Sequence, residues 1–304
     1  MNPIVSVLNE VTETKAEKED YLGKDGLLYC GKCHTPKQLR LEESNFFGNR
    51  PLPTMCRCTS ERLEKESAEL ERLRHLRRVH ELKCDGFTDA AMRNWTFGND
   101  NGCCPKMAYA RFYVGHFDEM ERENIGYLLW GPVGTGKSYF AACIANALME
   151  QEIPVKMMSV SAILNELSAS FDGRNEVIRS LNRYRLLILD DFGMERGTEY
   201  ALEQVYSIID SRARSGRPLI VTTNLTLSEL KHPADIAHAR IYDRILEMCQ
   251  PLVFTGDNLR RKNASEKMQR IKYMIHDATE IKFSGNTDHW KEDNHIEKQD
   301  SGCS

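Results

Sequence analysis

Eight consecutive residues, Gly131–Ser138, have the spacing G-x-x-x-x-G-K-[ST] and begin directly after a short apolar run. Glycines in such a loop let backbone N–H groups turn toward phosphate oxygens, the lysine reaches the β and γ phosphates, and the serine hydroxyl ligates Mg²⁺. The motif therefore predicts a site for a nucleoside triphosphate with Mg²⁺. Its predicted residues are Gly131, Pro132, Val133, Gly134, Thr135, Gly136, Lys137, Ser138 and Tyr139.

Two adjacent acids follow another apolar run, Leu186–Leu189, about fifty residues downstream of the glycine-rich loop. An apolar strand that ends in an acid is the usual second part of a triphosphatase site, because this acid holds Mg²⁺. We expect Asp190 to take this role together with Ser138, and Asp191 to act as the general base for the attacking water. The alternative is that the two acids simply cap the next turn, but the upstream phosphate loop disfavours it.

Polar and cationic residues further along the chain are candidates to complete the site. Asn224 ends the strand pattern PLIVTTN, where it could orient the lytic water, although Thr-Thr-Asn also opens helices. Arg240 and Arg244 lie one turn apart on a predicted helix, and Arg260 follows the last strand pattern. Guanidinium groups stay protonated and pair well with phosphate oxygens. The alternative for Arg240 and Arg244 is an ion pair with acids on their own helix.

Four cysteines near the amino terminus form two pairs, Cys30-x-x-Cys33 and Cys56-x-Cys58. Turn-forming sequence separates the pairs, and this segment has too few apolar residues to fold around a core of its own. Two such pairs predict a structural zinc site with four thiolate ligands. His34 could replace one of the sulfur ligands.

Apolar strand patterns alternate with helical patterns from about residue 127 onward, which predicts an α/β fold with a parallel sheet and helices on both faces. Upstream, the segment from Glu61 to Lys83 predicts a long charged helix whose arginines form a solvated face or contact phosphates. Trp95 and Phe97 either border the nucleotide base or pack on the next domain. The five predicted strands are Tyr127–Trp130, Val155–Ser159, Leu186–Leu189, Leu219–Thr223 and Leu252–Phe254.

The composition is that of an ordinary soluble protein, with 41% apolar and 28% charged residues. A formal net charge of −4 argues against a uniformly basic nucleic-acid coat but allows a local basic patch. The sequence has no run long enough to span a membrane and no signal-like amino terminus, so we expect a cytoplasmic protein without a membrane partner.

Taken together, the segments GPVGTGKS, LLILDDFG, TTN, ARIYDRI and DNLRR resemble, in order and spacing, the AAA+ ATPases of the DnaC/DnaI helicase-loader and IstB group. The resemblance covers about residues 95–270. It implies that Asn224 is the sensor 1 residue and Arg260 the sensor 2 arginine. It also implies an arginine finger, Arg244 in preference to Arg240, that acts on the ATP of a neighbouring copy, and hence an oligomer that assembles through the ATP interface.

One departure from this group concerns the second acid, because most AAA+ members have Glu where this chain has Asp191. The shorter side chain sets the carboxylate back by roughly 1.5 Å, and small displacements of this kind can slow catalysis about a hundredfold. We therefore expect slow ATP hydrolysis, suited to a timer or switch.

The resemblance also bears on domains and partners, since loaders of the DnaI type carry a zinc-bearing amino-terminal region that contacts the helicase. The predicted function is a DNA replication protein that binds the replicative helicase and single-stranded DNA. Two alternatives remain: an IstB-like transposition helper, and a zinc-dependent nucleic-acid-binding scaffold with incidental ATPase activity. The predicted domains are a flexible arm (1–25), a zinc module (26–60), a charged helix (61–84), a linker (85–104), an AAA+ ATPase domain (105–275) and a disordered tail (276–304).

Overall fold

A computed structural model describes residues 15–40, 51–100, 102, 104, 106–169, 173–193, 198–233 and 235–284, with the backbone alone for 262, 263 and 277–284. Contacts divide the chain into two compact units, residues 1–80 and 81–304. Most of the predicted arm, residues 1–14, and most of the predicted tail, residues 285–304, lie outside the described residues. Among the described helices, none combines the length and the apolar character that a membrane span needs.

The first unit holds two short antiparallel strand pairs and most of a long helix. β1 (Tyr21–Leu22) pairs with β2 (Leu28–Tyr29), and β3 (Gln38–Leu39) pairs with β4 (Leu52–Pro53). Helix α1 (Arg57–Gly86) begins before and ends after the segment predicted from the sequence, since no glycine or proline interrupts it. Ion pairs of the i,i+4 type line this helix, so much of its surface is a solvated charged face.

The second unit is built of alternating strands and helices. Its strands are β5 (Gly126–Trp130), β6 (Val155–Ser159), β7 (Leu186–Phe192), β8 (Leu219–Thr223) and β9 (Cys249–Val253). Its helices are α2 (Met107–Gly115), α3 (Phe117–Arg122), α4 (Lys137–Glu150), α5 (Val160–Ala169), α6 (Arg174–Leu181), α7 (Glu199–Arg214), α8 (Leu227–Lys231), α9 (Ile236–Met248) and α10 (Leu259–Ser284), and two 3₁₀ helices (Ala90–Asn94 and Phe97–Asn99) precede them.

The five strands of this unit form one parallel sheet in the order β6-β7-β8-β5-β9. Buried side chains form one cluster on each face: α4 packs in the first, and α7 and α9 pack in the second. The predicted α/β fold class is therefore confirmed. Because β5 lies between β8 and β9, the glycine-rich loop leaves the sheet where the strand order reverses, which is the usual ligand position in such sheets.

Local differences from the sequence prediction concern element ends and short helices. The last strand begins at Cys249, three residues before the predicted start, because its first half pairs with Gly126 and Tyr127 of β5. Helices α2, α3, α6 and α8 were absent from the predicted alternation, and they are too short to show a clear period. Helix α10 was not among the predicted helices either, and it continues through Ser284, past residue 276, where the sequence predicted a disordered tail. Its sequence contains neither glycine nor proline.

Arg212 of α7 stabilises the sheet through hydrogen bonds at the end opposite the glycine-rich loop. Its side chain is fully buried, and its guanidinium donates hydrogen bonds to the carbonyls of Tyr184, Arg185 and Pro218 at 2.8–3.0 Å. Burial lowers the pKa of this guanidinium to about 9. The contact satisfies carbonyls at the entrances to β7 and β8, which otherwise would be buried without donors.

Gly126 provides a test of the sheet packing, because a Cβ atom built on it would lie 1.6 Å from the Leu219 carbonyl oxygen. We expect Gly126→Ala to destabilise the second unit by about 3 kcal/mol, since strands β5 and β8 would have to separate. The matched control is Gly115→Ala at the end of α2, where a Cβ would meet nothing within 4 Å. Urea unfolding followed by tryptophan fluorescence measures both, and equal midpoints for the two variants would contradict the packing described.

Candidate nucleotide site and cysteine cluster

A cavity of about 380 Å³ opens at the carboxyl ends of the central strands. Its wall includes the glycine-rich loop, the first turn of α4, the second acid after β7, and the first turn of α10. The lining residues are Trp95, Asn99, Asp100, Cys104, Met107, Val133, Gly134, Gly136, Lys137, Ser138, Tyr139, Asp191, Asn224, Leu259 and Arg260. Residues that are separated by more than a hundred positions in the sequence therefore face one space.

The loop conformation depends on its glycines. Gly131, Gly134 and Gly136 have φ values of 140°, 83° and 93°, a region that other residues rarely adopt. A Cβ on Gly131 would lie 2.0 Å from the Phe254 carbonyl oxygen, and a Cβ on Gly134 would lie 2.2 Å from Asn258 Oδ1. The loop thus follows its neighbours too closely to accept side chains at these positions.

Lys137 connects this loop to the strand end at Asn224. Its Nζ atom donates hydrogen bonds to the carbonyls of Gly131 at 2.7 Å and Pro132 at 2.8 Å, and to Asn224 Oδ1 at 2.9 Å. Burial lowers the pKa of Lys137, and the nearby Asp191 and Asp190 act in the opposite direction. The amine is held at the centre of the loop, within the cavity wall.

One carboxylate oxygen of Asp190 accepts hydrogen bonds from two hydroxyl groups. Its Oδ1 accepts hydrogen bonds from Ser138 Oγ at 2.8 Å and from Thr222 Oγ1 at 2.5 Å. Burial raises the pKa of Asp190, and these two hydrogen bonds work against that rise. A buried carboxylate beside a serine hydroxyl provides hard oxygen donors, which is the chemistry that suits Mg²⁺.

Thr222 is a site residue that the sequence interpretation did not name. Its fully buried hydroxyl donates to Asp190 and accepts the backbone N–H of Asp191 at 3.0 Å. Asp191 has a φ of 53°, in the left-handed region, and its exposed carboxylate faces the cavity. The two threonines that end the otherwise apolar strand β8 were the available signal, since buried hydroxyls need partners.

The three predicted arginines take different places. Arg260 lines the cavity, whereas Arg240 and Arg244 of α9 do not. Arg244 Nη1 donates to Glu247 Oε2 at 2.8 Å, and its Nη2 lies 3.5 Å from Asp210 Oδ1. Arg244 therefore forms an ion pair with an acid on its own helix, which was the alternative for this residue. Arg240 is exposed and borders a shallow groove between α8 and α9.

The two aromatic residues of the predicted linker are also placed differently from each other. Trp95 borders the cavity, and its ring lies 5.9 Å from that of Tyr139. Asn146 of α4 donates to the carbonyl of Trp95 at 2.9 Å, which ties this segment to the sheet domain. Phe97 instead packs under the guanidinium of Arg111 at 4.5 Å. Both aromatics pack against the core of the sheet domain, and Trp95 borders the cavity as well.

The remaining predicted positions support the loop. The Thr135 hydroxyl donates to the Pro132 carbonyl at 2.9 Å, and the Tyr139 hydroxyl donates to the Thr96 carbonyl at 2.9 Å. Val133 lies on the cavity wall with about half of its surface exposed. These contacts set the curvature of the loop and join α4 to the segment before α2.

The four predicted cysteines of the first unit form a compact cluster. The sulfur atoms of Cys30, Cys33, Cys56 and Cys58 all lie within 4.8 Å of one another. A hairpin-like turn closed by the His34 N–H and the Cys30 carbonyl at 2.9 Å presents the first pair, and the start of α1 presents the second. His34 lies outside the cluster, with its Nδ1 3.1 Å from the Tyr21 hydroxyl.

The spacing of the sulfur atoms fits a tetrahedral metal ion. With metal–sulfur bonds of about 2.3 Å, a tetrahedral zinc site separates its sulfurs by about 3.8 Å. The sulfur of Cys58 lies 3.6 Å from that of Cys30 and 3.4 Å from that of Cys56. The cluster therefore could hold a metal ion with little movement of its ligands.

Comparison with known proteins shows where this chain has relatives. Residues 64–267 match the family described as IstB-like ATP binding protein. A putative ATP-binding protein in an insertion sequence of Mycobacterium tuberculosis is 28% identical over 44% of this chain and 55% of its own length. The replicative helicase loader DnaI of Bacillus subtilis is 29% identical over 44% and 47%, and the loader DnaC of Escherichia coli is 27% identical over 51% and 63%. The chain thus spans about half the length of these relatives.

The position of Thr222 allows a test of the site geometry. We expect Thr222→Val to lower kcat for ATP hydrolysis about tenfold to a hundredfold, because a hydrogen bond to a charged group contributes about 1.5–3 kcal/mol. Thr222→Ser keeps the hydroxyl and should restore most of the rate. Steady-state ATPase assays over a range of Mg²⁺ concentrations, with ATP affinity as the check on folding, compare the two. Equal rates for the Val and Ser variants would show that the hydroxyl has no positioning role.

Proposed function

Because the chain belongs to the family of IstB-like ATP binding proteins, we propose that it is a helicase loader that hydrolyses ATP slowly, assembles with copies of itself and delivers a replicative helicase to single-stranded DNA. The predicted family is confirmed by the match. The observation that carries the proposal is the convergence of Lys137, Ser138 and Asp191 on one cavity, with the buried Asp190 hydrogen-bonded to the Ser138 hydroxyl beside it.

The nucleotide would lie with its phosphates along the loop from Gly131 to Ser138. Phosphate oxygens would compete for the Lys137 N–H donors that reach two loop carbonyls, and the N–H groups of the first turn of α4 would add to the attraction. Mg²⁺, held by Ser138 and Asp190, would neutralise charge on the β and γ phosphates. Trp95 and Tyr139 offer apolar surface for the base at the far side of the cavity.

Asp191 and Asn224 are the proposed groups that act on the attacking water. Asp191 projects into the cavity from the end of β7 and would accept the proton. Asn224 would orient the water and, through its bond to Lys137, respond to the γ phosphate. The short Asp191 side chain, on a left-handed backbone held by Thr222, supports a slow reaction.

Assembly is proposed because the arginines of α9 do not reach the cavity of their own chain. Arg244 is held at the surface by Glu247 and Asp210, and Arg240 extends beside it into solvent. A neighbouring copy could therefore receive one of them at its ATP, with Arg244 as the proposed finger and Arg240 as the second candidate. Arg260, already at the cavity, is proposed as the arginine that senses ATP within the chain.

The proposed partners rest on the relatives and on the cysteine cluster. The relatives in Bacillus subtilis and Escherichia coli are named replicative helicase loaders. A zinc ion bound by Cys30, Cys33, Cys56 and Cys58 would stabilise the first unit, whose described part has few buried apolar side chains, as the surface that contacts the helicase. Single-stranded DNA is the proposed substrate of the assembled ATPase domains.

A second candidate function is supported by the relative from an insertion sequence, which is about as similar as the loaders. In that case the chain would be a transposition helper that assembles on duplex DNA and recruits a transposase. The two candidates differ in their ligands, because a loader binds helicase and single strands, whereas the helper binds duplex DNA without helicase.

The proposal predicts that ATP controls a complex with the helicase. Purified full chain, the replicative helicase of the source cell and a non-hydrolysable ATP analogue should elute together from a sizing column. Lys137→Ala should raise the Kd for ATP about tenfold to a hundredfold, through loss of charged hydrogen bonds of about 1.5–3 kcal/mol, and should abolish the complex.

Asp191→Asn is the matched control for this experiment, since it should keep ATP affinity and the complex while slowing hydrolysis. A parent chain that takes up no ATP at millimolar concentration would refute the ATPase. A Lys137→Ala chain that still forms the complex would remove ATP from loading. Assembly on duplex DNA with no helicase complex would favour the second candidate.

The cysteine cluster predicts about one zinc ion per chain, bound by all four thiolates. Elemental analysis of the purified protein should find it, and Cys56→Ser should lose most of it and lower the midpoint of thermal unfolding. The exposed Cys84 on α1 supplies the control, since Cys84→Ser leaves the cluster intact. Equal zinc contents in the two variants would show that the cluster is not the metal site.

A further inference from the structure

A threonine hydroxyl links the two cysteine pairs of the first unit. Thr35 lies two residues after Cys33, and its Oγ1 atom is 3.1 Å from the Cys33 sulfur. The same oxygen accepts the backbone N–H of Arg57 at 2.9 Å. Arg57 is the first residue of α1 and lies between Cys56 and Cys58. One hydroxyl therefore contacts a sulfur of the first pair and the backbone between the cysteines of the second pair.

The direction of these two hydrogen bonds follows from the chemistry of the groups. A backbone N–H group can only donate, so the Thr35 oxygen is the acceptor in its contact with Arg57. A cysteine that binds a metal is a thiolate without a proton, so in the metal-bound state the Thr35 hydroxyl donates its proton to the Cys33 sulfur. A hydroxyl has one proton and two lone pairs, and it can make both bonds at the same time.

Thr59 makes a similar contact in the second cysteine pair. It lies in the first turn of α1, and its Oγ1 atom is 3.1 Å from the Cys56 sulfur. Four thiolates carry more negative charge than one divalent ion neutralises, and hydrogen-bond donors directed at the sulfur atoms spread this excess charge. Such partners orient the ligands and strengthen metal binding. Each cysteine pair therefore has one sulfur atom with a hydroxyl partner.

We infer that Thr35 is a positioning residue of the metal site, and that it links metal occupancy to the start of α1. The inference rests on the proposed zinc site and deepens it. The N–H groups of the first helical turn have no acceptors within their helix, and Thr35 supplies one for Arg57. Zinc holds the two cysteine pairs together and so keeps Thr35 within reach of Arg57. By reciprocity, the Thr35 contact favours the geometry that binds zinc.

The zinc affinity of the full chain, measured in competition with a chromogenic chelator, is the first test. Thr35→Val has nearly the same shape without the hydroxyl and should raise the Kd for zinc about tenfold to a hundredfold. Thr35→Ser keeps the hydroxyl and should bind zinc like the parent. The matched control is Ser67→Ala, since the Ser67 hydroxyl donates to the Glu64 carbonyl on an exposed part of α1.

Cobalt in place of zinc provides a signal that a merely structural role would not change. The absorption band for charge transfer from sulfur to cobalt depends on the energy of the sulfur electrons, which a hydrogen-bond donor lowers. Thr35→Val should therefore shift this band to longer wavelength, and Thr35→Ser should return it to the parent position. A Val variant with the parent band and the parent Kd would overturn the inference.

Hydrogen exchange of residues 55–62, measured by mass spectrometry, tests the link to α1. Removal of zinc from the parent should speed exchange in this segment, and Thr35→Val should exchange faster than the parent even with zinc bound. Thr59→Val is the matched comparison, because it removes a hydroxyl from Cys56 and leaves the contact between Thr35 and Arg57 in place. This variant should raise the Kd for zinc and exchange like the parent when zinc is bound. Exchange that does not respond to zinc removal would refute the link.

The outcomes separate this inference from the proposals on which it rests. A parent chain that binds no zinc contradicts the proposed metal site itself. If the parent binds zinc and Thr35→Val does so equally well, only the positioning role fails. Equal weakening in Thr35→Val and Thr35→Ser would show that the hydroxyl is not the cause and would also overturn the inference. ATP uptake by the same samples should not change, which checks that the second unit is folded.

Discussion

The carboxylate of Asp190 is the contact on which the arrangement of the site depends. One of its oxygens accepts the Ser138 hydroxyl from the start of α4 and the Thr222 hydroxyl from β8. Three elements are thereby fixed to one atom at the carboxyl edge of the sheet. The same threonine also positions the second acid, because its hydroxyl accepts the N–H of Asp191 and so holds the left-handed backbone of that residue. Loss of the shared oxygen would remove the contact that joins the start of α4 to the ends of β7 and β8.

Burial in the protein disfavours the charged forms of both Asp190 and Lys137. Burial raises the pKa of Asp190 and lowers that of Lys137, so folding disfavours the charged form of each. For Asp190, the linked contribution to stability is present at low pH and is lost as the pH rises through the raised pKa. Such strain is common where a site is organised for ligands of opposite charge. A polyphosphate would stabilise the charged form of Lys137, and a divalent cation would stabilise that of Asp190.

The two units use different means to reach a defined structure. The second unit has a parallel sheet with a buried apolar cluster on each face, which suffices to hold the strand ends in register. The described part of the first unit has strands of two residues each, and its buried apolar side chains are Cys30, Cys56 and Val79. The buried Lys37, whose Nζ lies 2.6 Å from Asp20, adds one ion pair. A small segment of this kind usually needs a metal or disulfides.

The sequence alone was sufficient for the fold class and for the residues next to each other in a motif. Strong apolar runs identified all five strands of the sheet, and the motif spacing located Lys137, Ser138 and Asp190, because these depend on local periodicity and on loop chemistry. The second acid and Asn224 were located as well. Short helices such as α2 and α6 were not, since their few residues carry too weak a pattern.

The tertiary structure decided what depends on contacts between distant segments. It brought Thr222 to both acids, placed Trp95 at the cavity while packing Phe97 under Arg111, and separated Arg260 from the arginines of α9. The sequence could not show these differences, because helix rotation and strand register set which side chains meet, and these are fixed only when the whole sheet packs.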